Sequence, residues 1–140
     1  MKKILIVNAN YYNLISKKLA QQSINFLKNK TSISVIEVPG IFEIPVTIRK
    51  NINRFDGFVA LGCVIKGQTP HFDLICEATF NAIMTLSLTY NKPIGNGIIT
   101  AFNLRQAQER CGIKKSNKKN KGFEAANAVL SILINGPKKI

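Results

Sequence analysis

Apolar and polar residues along this chain form blocks whose period switches repeatedly between that of a buried strand and that of a helix. Residues 3–7 form a short apolar run, a first predicted strand. Asn13 can cap a helix whose Ile15, Leu19, Ile24 and Leu27 lie broadly on one face. Residues 33–38 alternate and are β-branched, hence a second strand. Pro39 and Gly40 break it, and a second helix is expected near Pro45, where proline suits the first turn. Phe55, Asp56 and Gly57 read as a turn into a third strand, 58–65.

The clearest helix follows His71, with Phe72, Ile75, Cys76, Thr79, Phe80, Ile83 and Met84 spaced three and four apart. Asn91, Lys92 and Pro93 end it, and residues 94–101 make a fourth strand thinned by Gly95 and Gly97. Asn103 caps a short helix through Arg110. A basic loop leads to a last helix, 123–134, with Phe123, Ala126, Leu130, Leu133 and Ile134 on its buried side. Asn135, Gly136 and Pro137 stop it. Strands alternating with helices predict an α/β domain with a parallel sheet covered on both faces. Its ligand crevice lies beyond the carboxyl ends of the strands, at residues 8–13, 38–43, 66–71 and 101–103. No repeat or linker divides the chain, so residues 1–140 read as one domain.

One of those loops carries chemistry. The third strand stops at the turn 66–70, KGQTP, and feeds a helix that begins at the chain's only histidine, His71. Such a turn presents free backbone N–H groups and the positive end of a helix dipole, a ready anion site. Histidine adds a side chain able to move protons near neutral pH. Phosphate chemistry assisted by proton transfer is the hypothesis this raises. Gly62 and Gly67 have the spacing of P-loop glycines, but Gln68 stands where the phosphate-binding lysine belongs, which rejects nucleoside triphosphate binding. No dinucleotide fingerprint follows the first strand. Asn8 and Asn10 stand where a magnesium-dependent phosphoacceptor needs carboxylates.

Other candidates have bland readings beside the functional ones. Tyr11 is a surface aromatic or a cover for a planar ligand. The segment from Gly40 through Ile41 and Phe42 to Glu43 is an ordinary turn and helix start, or a ring and exposed amides aimed into the crevice. Arg110 is a charge at a helix C-terminus or a partner for an anion. Together they converge on one crevice.

Composition narrows the class. With 46% hydrophobic residues and no low-complexity tract, the 140 residues can bury a core without staples. Cys63, Cys76 and Cys111 fit no zinc or redox spacing, and one histidine makes a histidine-based metal site improbable. Reduced thiols in a cytoplasmic protein are the simplest expectation. The N-terminal apolar run is too short for a signal peptide, and no stretch approaches a membrane span. The net charge of +13 raises nucleic-acid or membrane-surface binding. Most lysines are scattered without interleaved aromatics, and only 114–121 forms a cluster, which favours solvated faces instead. A basic, non-catalytic assembly or nucleic-acid binder would need that charge concentrated on one face.

Four segments resemble those of the lumazine synthases. Residues 38–45, VPGIFEIP, are similar to that family's VPGAFEIP, and residues 60–73, ALGCVIKGQTPHFD, to its ALGxVIRGxTxHFD. Residues 106–112, QAQERCG, resemble QAxERAG, and residues 120–126, NKGFEAA, resemble NKGxEAA. The match is collinear over nearly the whole chain. It implies a three-layer α/β/α sandwich with a four-stranded parallel sheet, flavodoxin-like. It also implies a transferase of riboflavin biosynthesis, at the penultimate step. That enzyme condenses 5-amino-6-(D-ribitylamino)uracil with 3,4-dihydroxy-2-butanone 4-phosphate to give 6,7-dimethyl-8-ribityllumazine, phosphate and water, without cofactor or metal.

By the same resemblance, Tyr11 stacks on the pyrimidine ring. Gly40, Ile41, Phe42 and Glu43 hold the ribityl chain and part of the ring, while Cys63, Val64 and Ile65 line the base. Gly67, Gln68 and Thr69 offer donors to the phosphate with help from Arg110, and His71 shuttles protons. Asn96 stands where the family often has Phe, and Tyr12 replaces a small polar residue. The segment 112–121 is longer than the family's common GTKAGNKG loop, leaving Lys121 or Lys118 as the site lysine. The resemblance implies a homopentamer with sites between subunits, so that Arg110, Asn96 and the lysine come from the adjacent chain. Some members build capsids from pentamers; the inserted lysine-rich loop predicts an isolated pentamer here.

Overall fold

In a computed structural model, which describes residues 1–115 and 120–140, strands and helices alternate as the periodicity predicts. The strands are β1 (Lys3–Ala9), β2 (Ser32–Val38), β3 (Gly57–Ile65) and β4 (Ile94–Ala101). The helices are α1 (Asn13–Leu27), α2 (Ile44–Lys50), α3 (His71–Tyr90), α4 (Leu104–Cys111) and α5 (Lys121–Ile134), with one 3-10 turn at Ile41–Glu43. All strand pairs are parallel, in the order β2-β1-β3-β4. The two inner strands are apolar at nearly every position because helices cover both faces. Edge strand β2 alternates instead, and half of it meets solvent.

Alternate residues of each strand feed two separate cores. Ile4, Ile6, Val59, Leu61 and Ile99 pack with α1, α4 and α5. Leu5, Val7, Phe58, Ala60 and Ile98 pack with α2 and α3. The result is a three-layer α/β/α sandwich of the flavodoxin-like kind. The Lys92 ammonium ties the α3–β4 connection to the α2–β3 connection, donating to the carbonyls of Ile52 (2.6 Å) and Phe55 (2.9 Å).

Helix starts follow polar caps where a side chain is free to reach back. Asn103 Oδ1 accepts from the Gln106 N–H at 2.9 Å, as expected. Asn120 Oδ1 accepts from the N–H groups of Gly122 and Phe123, so α5 begins at Lys121, earlier than the apolar pattern suggests. Asn13 is not a cap. Tyr12 holds that position, its carbonyl accepts the Ser16 N–H at 2.9 Å, and its ring packs on the core. Burial of an aromatic ring, not a polar cap, fixes the entry of α1.

The α5 face also differs from the predicted one. Ala125, Ala126, Val129 and Leu130 are buried, whereas Phe123 and Ile134 are exposed. Small residues win because α5 lies close against its neighbours. A Cβ on Gly95 would collide with the Ala125 carbonyl, and one on Gly122 with the Leu19 carbonyl. Gly95 therefore sets a spacing and does not merely thin the strand. Along α3 only Thr79 and Ile83 are fully buried, while Leu74, Met84 and Leu88 stand exposed.

Gly95→Ala should lose about 2 kcal/mol of unfolding free energy, because its methyl group meets backbone. Gly67→Ala, with open space around the position, should change stability by no more than about 0.5 kcal/mol. Urea denaturation of both variants checks this, and equal midpoints would remove the close-approach argument.

Candidate functional site

Two backbone ties and one side-chain tie bring the carboxyl ends of the strands together. The Asn10 N–H donates to the Val38 carbonyl at 2.9 Å, and the Asn10 amide side chain to Glu37 Oε2 at 2.9 Å, locking the β1 exit onto β2. The Lys66 N–H donates to the Ala101 carbonyl at 2.9 Å, locking the β3 exit onto β4. Between these ties lies a pocket of about 330 Å³. Tyr11 and Tyr12 reach it from the β1–α1 turn, Gly40 and Ile41 from the segment after β2. Cys63, Val64 and Ile65 supply its floor from the end of β3. Gly67 and Thr69 enter from the turn, and His71, Phe72 and Ile75 from the first turn of α3.

The pocket joins an aromatic wall, an apolar floor and a polar rim. Tyr11 is 76% exposed and meets Tyr12 edge to face, ring centroids 5.0 Å apart at 73°. Gly67 has open space where a side chain would be, so a ligand can approach its backbone. No side chain caps α3, whose first residue is His71 and whose first turn holds Asp73. A neighbouring apolar groove lined by Phe42, Glu43 and Leu74 meets the pocket at Gly40, His71 and Ile75. Among the described residues, no cluster of three or more His, Cys, Asp or Glu is arranged to hold a metal ion.

Burial, with a smaller effect of Cys111, pushes the Cys63 thiol up to about 12. The Tyr12 phenol is also raised, by burial first and then by Cys63 and Tyr11. Both groups are therefore neutral at ordinary pH. Cys63 offers the floor a small apolar surface and not a thiolate nucleophile.

The expected site residues divide into three sets. Nine line the pocket: Tyr11, Gly40, Ile41, Cys63, Val64, Ile65, Gly67, Thr69 and His71. Phe42 and Glu43 line the adjoining groove, and Gln68 sits exposed in the turn. Asn96, Arg110 and Lys121 do not line this pocket. Asn96 is exposed on edge strand β4, where its Oδ1 accepts from the Ile98 N–H at 3.0 Å. Arg110 lies in the last turn of α4, and Lys121 opens α5 beside Glu124 at 3.7 Å. Lys118 lies outside the described residues. Phe72, Ile75 and Tyr12 also line the pocket, beyond the residues the sequence motifs indicate. Position in the first turn after the anion-binding loop was the available signal for the first two.

A family model described as 6,7-dimethyl-8-ribityllumazine synthase matches residues 1–135. The chain belongs to that family. A relative of that name from Campylobacter curvus is 38% identical over 138 residues, 94% of this chain and 86% of its own length. Another from Bartonella tribocorum is 42% identical over 134 residues, covering 93% and 87%. A third, from Bartonella bacilliformis, is 41% identical over 135 residues. The lumazine synthase match thus spans all four strands and every pocket residue.

The raised Cys63 thiol makes a pH prediction. Unfolded, it ionises near 9, and folded it stays neutral to about 12. Through that window the unfolded state releases the proton first, so folding stability is whole below 9 and falls as pH rises toward 12. Cys63→Ala should flatten that fall in urea midpoints measured across the window. An unchanged slope would show that this thiol contributes nothing to it.

Proposed function

We propose that this chain is a lumazine synthase in activity as well as in family. It condenses 5-amino-6-(D-ribitylamino)uracil with 3,4-dihydroxy-2-butanone 4-phosphate, giving 6,7-dimethyl-8-ribityllumazine, phosphate and water, the penultimate step toward riboflavin. The observation that carries this reading is the meeting of Tyr11, His71 and the 67–69 turn in one pocket. A planar ring, a proton acceptor and a phosphate each find there the chemistry they need.

Tyr11 covers the pyrimidine, and Cys63, Val64 and Ile65 lie under it. Gly40, Ile41, Phe42 and Glu43 take the ribityl chain along the adjoining groove, where a carboxylate and free amides can bond hydroxyls. Gly67, Gln68 and Thr69 direct N–H and O–H donors at the phosphate. The amine nitrogen attacks the ketone carbon and water leaves, forming an imine. Loss of phosphate then breaks a C–O bond, and ring closure expels further water. Each stage moves a proton, and His71 at the pocket rim is suited to accept and return it. The leaving phosphate departs with less cost when its charge meets oriented amides and a guanidinium. Holding both substrates in one orientation supplies much of the remaining acceleration.

Asn96, Arg110 and Lys121 complete the site from an adjacent subunit of a homopentamer in the cytoplasm. Support comes from α3, a helix of 20 residues whose Leu74, Met84 and Leu88 are exposed. Apolar surface of that kind belongs against another protein surface, here a second copy of the chain. Residues 1–140 act as one domain, and the lysine-rich stretch 114–121 keeps pentamers from packing into a capsid through bulk and like-charge repulsion.

Incubated with both substrates, the unmodified protein should give fluorescent lumazine and free phosphate. Arg110→Ala should lower kcat/KM about a hundredfold, as removal of a charged or oriented partner of developing charge does. His71→Ala should be hit less, because waters can replace one proton shuttle. No product from the unmodified protein overturns the assignment. Light scattering should give the mass of a pentamer, and a capsid mass would refute the packing argument.

A further inference from the structure

The chain around Tyr11 is held on both sides, but Tyr11 itself is not. Upstream, Asn10 is fixed to β2 through its N–H and its side-chain amide. Downstream, the Tyr12 carbonyl accepts the first intrahelical bond of α1 and the Ser16 hydroxyl donates to the Asn13 carbonyl. Tyr11 stands between these anchors, largely in solvent, its ring and that of Tyr12 forming an edge-to-face pair. Tyr12 is anchored differently. It is half-buried, packs on the core of α1, α4 and α5, and lines the pocket beside Cys63.

We propose that Tyr12 is a positioning residue that holds the Tyr11 ring upright over the pocket through their edge-to-face contact. This inference rests on the reading of Tyr11 as the cover of the pyrimidine ring. An exposed tyrosine samples several χ1 and χ2 states, and a ligand that stacks on it must select one. A core-anchored aromatic neighbour paired edge to face with it removes most of those states before the ligand arrives, which favours binding through preorganisation. Because the contact depends on the ring and not on the hydroxyl, phenylalanine serves at position 12 and an aliphatic side chain does not. The contact touches only the ring end of the site, so its effect falls on the pyrimidine and leaves the sugar phosphate alone.

The test uses Tyr12→Leu, with Tyr12→Met as an alternative filler of the same buried space, and Tyr12→Phe as the conservative variant. The leucine variant should raise KM for the pyrimidine about three- to tenfold, the range expected for an aromatic pair. Its kcat and its KM for the sugar phosphate should stay level, and Tyr12→Phe should match the unmodified protein. A substrate-free arm labels the three tyrosines with 3-fluorotyrosine. The Tyr11 fluorine resonance, assigned by its loss in Tyr11→Phe, should move toward that of free fluorotyrosine in Tyr12→Leu and stay in place in Tyr12→Phe. A fixed resonance in Tyr12→Leu, an unchanged pyrimidine KM, or equal effects on both substrates would overturn the proposal. If the unmodified protein makes no product, the assigned activity falls, and the fluorine comparison alone decides whether Tyr12 orders Tyr11.

Discussion

Except at the strand ends, water reaches neither face of β1 or β3. Six of the seven β1 residues and the first seven of β3 are buried, so each face needs its own layer of helices. Once both faces are covered, polar chemistry can be placed only where the strands end. The carboxyl ends gather three turns there, tied by Asn10 to Val38 and by Lys66 to Ala101. The pocket follows from that constraint, because turns fastened to strands hold their side chains more narrowly than free loops do.

The two cores are filled by different means. On the α2–α3 side, branched residues such as Ile44, Ile48 and Ile83 fill the space. On the other side, glycine and alanine bring backbones together, with Gly95 against Ala125 and Gly122 against Leu19. Several basic residues among those described are engaged singly. Lys30 sits over Phe26, Arg49 over Tyr90 and Lys66 over Phe102, while Lys92 bonds two carbonyls.

Strand and helix order was legible because the apolar runs are long and their turns carry proline, glycine or asparagine. Asn103 as a cap was legible for the same local reason. Tyr12 was not, since burial of a ring at a helix entry depends on residues distant in sequence. The glycines of β4 looked like weakness, because the alanine they both face, Ala125, lies about thirty positions on and only the tertiary fold pairs them. For the site, residues inside contiguous motifs could be grouped by their common turn. Asn96, Arg110 and Lys121 could be proposed only by resemblance, and they lie on surfaces of the single chain that do not face its own pocket. Phe72 and Ile75 carried a helix-core signal that hid their second role at the pocket.

The start of α5 has a consequence for how this chain can change over time. Asn120 closes the first turn with two hydrogen bonds, and Gly122 sits where no side chain larger than hydrogen fits against α1. Those two residues act as a datum for everything after them. Residues added or removed upstream of Asn120 alter the connection without shifting the helix, the second core or the strand that α5 covers. The placement of α5 is thereby set by its own first residues and not by the length of the connection before them.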